Sequence, residues 1–322
     1  MYYPYLRGKQ YELLALKEFA AGTESPRFVW PILEPVRDPD TNTAFGRAIA
    51  DLKDREMNFT VIVNPTVGDL AGDSGASQKV LKHLGGPSDD TMPFRIGVIL
   101  DGTTMLAAAQ SITDAGWADG PTDLFYPVPT PTVDEVKSVA ELLTPGRHIA
   151  SGKDIVRRYR SLVPKDPAVV RFLDRFPARP TNLEYVSATE SVFTDDHVYY
   201  RDDGYVGFGD YLTIGEGYSE GGSSPRAVVI HFTYRDDGTD DVLIRHFASD
   251  TNADTSDTAS KFSEAVGKLV EFCADRGLSN PAIDAFKTYS ASRHYPGLGM
   301  IKKLSILNHL YLINDILASP TT

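Results

Sequence analysis

The feature that most constrains this chain is an alternation repeated three times in succession: a short apolar run, then a segment with helical spacing. The runs are Phe28-Val29-Trp30-Pro31-Ile32-Leu33-Glu34, Phe59-Thr60-Val61-Ile62-Val63-Asn64 and Arg95-Ile96-Gly97-Val98-Ile99-Leu100-Asp101. Helical patterns follow them at Ala44 to Lys53, Ala76 to Leu84 and Thr104 to Ala115, and another precedes them at Lys9 to Ala20. Strands apolar nearly throughout and separated by helices predict a parallel sheet covered by helices. A fourth unit reads as Asp123 to Pro127, then a helix opened by Thr132 with Glu135 three residues on, the spacing of a capping box. His148 to Ala150 supplies a fifth, short strand.

The second half changes character. Residues 152 to 183 hold Pro164, Pro167, Pro177 and Pro180 and predict short helices and turns. Strand-like runs then come at Tyr205 to Ile214, Ala227 to Tyr234 and Asp241 to Phe247. The last two flank an Asp-Gly turn at Arg235 to Asp240 and predict an antiparallel hairpin. Helices at Ser260 to Arg276 and Met300 to Leu317 close the chain. The expected fold class is α/β: a parallel, TIM-like β/α barrel, regular or distorted, with an antiparallel hairpin in its second half. Residues 1–322 are read as a single barrel-like domain, with the hairpin at 227–247 and a C-terminal docking helix at 300–317, because barrels of this length commonly form one unit.

Charge narrows the partners. With 32 Lys+Arg against 44 Asp+Glu, the net charge is −12, a field that opposes polyanions, so no nucleic acid is expected. One cysteine, Cys273, leaves no disulfide within the chain and reads as a buried thiol on a helix. No stretch approaches the roughly 18 apolar residues of a membrane span, and the opening residues lack the order of a signal peptide. A soluble cytoplasmic protein is the expectation. There is no GxxxxGK[ST], no GxSxG and no GxGxxG between a strand and a helix, which disfavours P-loop, α/β-hydrolase and Rossmann chemistry.

Three strands end in an oxygen-bearing side chain: Glu34, Asn64 and Asp101. In parallel α/β folds such ends share one rim, so the trio can hold a divalent cation or supply an acid and a base, or each can cap its own loop. Strand parity puts Asp210 on one face with Phe208, Leu212 and Ile214, where an ionised carboxylate needs a partner. His231 and His246 lie in strands that can pair with each other, either as hydrogen-bonded core residues or, with Asp210, as a relay or metal site. Arg7 and Lys9 precede the first helix, where basic groups oppose its dipole, so they point to an anion or to a bridge from Arg7 to a carboxylate such as Glu34.

Tyr2-Tyr3-Pro4-Tyr5-Leu6-Arg7-Gly8-Lys9-Gln10-Tyr11-Glu12, Pro31-Ile32-Leu33-Glu34-Pro35, Gly207-Phe208-Gly209-Asp210-Tyr211 and Arg245-His246-Phe247 together resemble the Beta-protein family of phages and bacteria. The likeness is greatest to a bacterial subgroup that opens Tyr-x-Pro-Tyr-Leu-Arg-Gly-Lys-Gln. It implies a β/α-barrel-like body and a setting of anti-phage defence, and it brings no established activity. Two functional expectations follow. One is a hydrolase acting on a small phosphorylated or nucleotide-like molecule, with Glu34, Asp101, Asp210 and His231 as catalytic groups and Arg7, Lys9, Asn64, Arg245 and His246 as binding groups. The other is a non-catalytic sensor or adaptor that binds a phage or host protein, or a second copy of itself, through Leu304, Leu307 and Tyr311 of the last helix.

Overall fold

The computed structural model describes residues 1–23, 28–85, 94–221 and 225–319. In chain order its elements are β1 (Tyr5–Leu6), α1 (Gln10–Gly22), β2 (Ile32–Leu33), α2 (Thr43–Asp54), β3 (Phe59–Ile62), α3 (Ala76–Leu84), β4 (Phe94–Ile99), α4 (Met105–Asp114) and β5 (Pro121–Phe125). These are followed by α5 (Val133–Ala140), β6 (Thr144–Ala150), α6 (Lys153–Arg157), β7 (Ala168–Phe172), a 3₁₀ turn (Asn182–Val186), β8 (Glu190–Thr194), α7 (Asp196–Tyr199) and β9 (Gly207–Gly209). The chain ends with β10 (Val229–Arg235), β11 (Val242–Ala248), α8 (Thr258–Asp275), α9 (Pro281–Ser292) and α10 (Leu298–Ala318).

The chain gathers into two compact units. The first comprises Met1–Leu13, Glu24–Leu173 and Tyr199–Asp210, and the second Leu14–Thr23, Asp174–Val198 and Tyr211–Thr322.

The first unit is the expected barrel. Its eight parallel strands run in the order β1-β2-β3-β4-β5-β6-β7-β9, and helices separate most neighbours. A parallel bridge between Tyr2 and Phe208 joins the two ends of the sheet. Tyr3 N–H donates to the Phe208 carbonyl at 2.8 Å and Tyr5 N–H to that of Asp210 at 2.9 Å. Glycine makes this closure sterically possible, because a Cβ on Gly207 or Gly209 would lie 2.4 or 2.3 Å from atoms of Tyr3. Tyr5 meets Phe125 and Phe172 edge-on with ring centroids 6.1 and 5.8 Å away, so the odd positions of β1 and β5 point into the ring. The capping box is formed: Thr132 Oγ1 accepts from Glu135 N–H, and the Glu135 carboxylate accepts from Thr132 N–H.

In the second unit an antiparallel sheet has the order β10-β11-β8. The expected hairpin is its core, with His231 opposite His246 and Thr233 opposite Ile244. One face packs Phe232, Tyr234 and Phe247 on Phe272 of α8. On the other face, Thr233 meets Asn308 and His309 of α10.

Several boundaries differ from those expected. The run Tyr205 to Ile214 yields a strand of only Gly207–Gly209, because at Tyr211 the backbone turns: the N–H groups of Ile214 and Gly215 both donate to the Tyr211 carbonyl. The Pro-rich stretch 152 to 183 hides β7, and the helix α9 follows Asn280, whose side chain accepts from Ile283 N–H. The last helix has its apolar stripes covered by the chain itself, with Leu304, Leu307 and Tyr311 all buried. These three side chains therefore pack within the chain. Cys273 is buried, and burial pushes its thiol up to about 12.

Candidate functional site at the carboxyl ends of the barrel strands

Glu34, Asn64 and Asp101 do stand at the carboxyl ends of neighbouring strands β2, β3 and β4. Each is built into a local network. Glu34 Oε1 accepts from Thr66 N–H at 2.7 Å and from Thr66 Oγ1 at 3.1 Å, while its Oε2 lies 3.7 Å from Arg7 Nε. Both Arg7 and Glu34 are buried, so the bridge expected between them exists within the ring mouth. The Arg7 backbone N–H is held by the Glu12 carboxylate at 2.7 Å, which fixes the entry into α1. Lys9 is half-buried, and its carbonyl accepts the N–H groups of Glu12 and Leu13.

Asn64 bridges two strands: its Oδ1 accepts from Ile99 N–H at 2.9 Å and its Nδ2 donates to the Ile99 carbonyl at 2.8 Å. The same Nδ2 donates to Thr104 Oγ1 at 3.1 Å, and Thr104 Oγ1 in turn donates to Asp101 Oδ2 at 2.7 Å. The structure thus brings Asn64 and Asp101 into one network. Asp101 also accepts from Thr103 Oγ1 and from the N–H groups of Thr103, Thr104 and Met105. Burial by itself would raise the Asp101 pKa, but these bonds outweigh it and hold the carboxyl below its ordinary value. A carboxylate so satisfied is a turn-and-cap group, and a weak base near neutral pH.

The remaining residues fall elsewhere. Asp210 is buried with Phe208 and Tyr2, as strand parity requires, on the face of β9 that points away from the ring interior. Tyr2 Oη donates to Asp210 Oδ1 at 2.7 Å; burial first, and the Asp210 charge second, raise the Tyr2 phenol well above its ordinary range. Asp210 belongs to the first unit and His231 to the second. His231 Nδ1 lies 2.8 Å from His246 Nδ1, so one ring carries the proton and the other accepts it. Phe176 and Tyr185 stand edge-on to His231, with centroids 4.9 and 4.8 Å away. Burial lowers the two imidazoles to about 3 and about 4, with His246 adding to the effect on His231 and Arg179 to that on His246. Arg245 bonds Glu190 at 3.2 Å and lies over Phe272, which accounts for it structurally. Among the described residues no group of three or more His, Cys, Asp or Glu is arranged to hold a metal.

Sequence reasoning missed a polar cluster at the opposite end of the ring. Asp123 is buried on β5 and Arg147 on β6. Arg147 Nε donates to Asp123 Oδ1 at 3.0 Å, and its Nη2 is ion-paired with Oδ2. Arg147 also donates to Tyr3 Oη at 3.1 Å and Thr60 Oγ1 at 3.0 Å, with its guanidinium 3.9 Å from the Trp30 ring. Thr60 Oγ1 donates to Asp123 Oδ2 at 2.8 Å. Lying near the amino ends of the strands, this cluster reads as a stabilising plug. Its signal was parity: Asp123 alternates with Phe125, and Arg147 with Ile149, along strands that begin earlier than their apolar runs.

No protein-family model and no curated protein matches the chain.

Proposed function

We propose that the protein is a Beta-protein-like barrel that binds a small phosphorylated or nucleotide-like molecule at the carboxyl-end mouth and hydrolyses it, in the setting of anti-phage defence. The observation that carries this reading is the buried Arg7 guanidinium at the end of β1, beside a Glu34 carboxylate that Thr66 holds in place. A guanidinium fixed in a water-poor mouth is suited to phosphate, because it stays charged and donates in a fork. Asp101 is spent on its turn, so Glu34 is the rim carboxylate left to orient a water against the bound group. Leu304, Leu307 and Tyr311 are buried within the chain, and this reading places the binding site at the mouth instead.

The test is calorimetric titration with orthophosphate and ATP beside a phosphate-release assay. Arg7→Gln should weaken binding of both ligands at least tenfold, and Arg7→Lys should retain part of it. Glu34→Gln should keep binding while release stops. A parent protein that binds neither ligand sinks the reading, and so does Arg7→Gln binding as the parent does while retaining its circular dichroism.

A further inference from the structure

A second set of cations follows β6. From Arg157 to Lys165 the chain holds Arg157, Arg158, Arg160 and Lys165 and no acidic residue, with Asp154 and Asp166 flanking the stretch. All four basic side chains are exposed. Among the described residues none of them is ion-paired. This contrasts with Arg37, Lys79, Lys82, Arg171, Arg175 and Arg235, each of which has found a carboxylate. In a chain of net charge −12 acidic partners are plentiful, so four neighbouring cations left unpaired form a local field against the trend of the whole molecule.

Their place is set by the barrel. The segment follows β6 at its carboxyl end. It is stitched to the loop after β5: Arg158 Nη1 donates to Thr130 Oγ1 at 2.5 Å and Tyr159 Oη to the Pro131 carbonyl at 2.6 Å. In a ring of order β1-β2-β3-β4-β5-β6-β7-β9, β5 and β6 lie across from β1 and β2. Eight strands about 4.8 Å apart and tilted by about 36° make a ring about 15 Å across. Arg158, tied to the loop after β5, therefore belongs to the side of the ring across from Arg7, with Arg157 and Arg160 beside it in the chain, whereas Lys165 leads into the amino end of β7.

We infer that Arg157, Arg158 and Arg160 bind the outer phosphates of a polyphosphate chain, which makes the ligand a nucleoside polyphosphate or a related oligophosphate; this rests on the rim-binding reading above. Guanidinium groups grip phosphate oxygens in pairs, and three of them in four residues suit several phosphates better than one. A nucleic acid strand fits less well. Tyr159, the aromatic residue among these arginines, is fully buried and offers no face for a base to stack on.

The experiment titrates the full chain with inorganic tripolyphosphate, orthophosphate and poly-glutamate. The variants are Arg157→Gln/Arg158→Gln, its Lys/Lys counterpart and Arg7→Gln. The Gln pair should lose at least tenfold in tripolyphosphate affinity and leave orthophosphate binding unchanged, and the Lys pair should recover part of the loss. Tripolyphosphate binding to the Gln pair at parental strength overturns this inference and leaves the Arg7 reading standing. A parent that binds orthophosphate no more weakly than tripolyphosphate also overturns it. No phosphate binding by the parent at all removes both readings. Loss of poly-glutamate binding alone in the Gln pair overturns the inference in favour of an acidic protein partner.

Discussion

The two units bury polar groups in different balance, charged pairs at both ends of the barrel's ring and chiefly neutral groups against the second unit's hairpin. The barrel encloses full charges and pairs them: Asp123 with Arg147 near the amino ends, Arg7 with Glu34 at the carboxyl ends. The second unit has a buried carboxylate pair of its own, Asp196 with Arg175, and beside its hairpin it encloses groups that stay neutral. His231 is bonded to His246, and His309 Nδ1 to Thr233 Oγ1 at 2.9 Å, with Asn308 donating to the Thr233 carbonyl at 2.8 Å. A closed ring brings side chains from several strands to one point, so a buried charge can gather enough donors to offset its desolvation. A sheet face under a helix offers fewer partners per site, and uncharged imidazoles and amides suit it better.

The largest expected effect breaks the charged side of this contrast. Asp123→Ala leaves the Arg147 guanidinium buried without its counter-ion and should cost about 3–5 kcal/mol in urea unfolding. A loss under about 1 kcal/mol would mean that Tyr3, Thr60 and Trp30 suffice, and that the ion pair does not organise the ring.

Acid tests the neutral side. His231, His246 and His309 are lowered to about 3, 4 and 3, chiefly by burial, from an ordinary 6.5. Their folded forms bind fewer protons than the unfolded chain, so the stability they carry is complete above about pH 6.5 and is lost as pH falls toward the folded values. For the fully buried His309 this is on the order of 2 kcal/mol by pH 5. Asp101, whose pKa folding lowers, loses its contribution only as pH falls below its ordinary 3.8. The barrel has the same kind of group in His148, which burial lowers to about 4, so with His148 set against these three, hydrogen exchange between pH 7 and 4.5 should show both units losing protection and the second losing more. Protection that fades equally in both units would contradict the division.

The smallest effect sharpens the same point. Thr233→Val keeps shape and removes the hydroxyl bonded to His309, and should cost about 1 kcal/mol, well short of the Asp123 effect. Thermal unfolding of both variants under one set of conditions gives the comparison, and equal losses would erase it.

The architecture was legible where the chain speaks locally. The β/α alternation, the Thr132–Glu135 box and the Asp-Gly hairpin each arise from a few adjacent residues, and each is present. Less was legible where meaning comes from across the ring. β1 is two residues long and has no pattern of its own; it is a strand because β2 lies beside it and β9 bridges the preceding Tyr2. Strand parity put Asp210 among apolar side chains, but nothing near it in the sequence names Tyr2, 208 residues away, as its partner. Likewise, the spacing that placed Glu34, Asn64 and Asp101 on one rim says nothing of Thr66 and Thr104, the hydroxyls that occupy them.

The closing strand carries one more consequence, for the order in which the molecule is made. The chain completes β7 at Phe172, spends residues 174–198 on the second unit, and only then supplies Gly207–Gly209 to join β1. During synthesis the sheet stays a seven-stranded open one with two raw edges until that segment emerges. Open edges of this kind recruit other strands, and a contact that spans two hundred residues forms late. The nascent chain is thus most prone to mispairing in the interval between Phe172 and Gly209, and helices laid down earlier on the outside of the sheet do nothing to shield its edges.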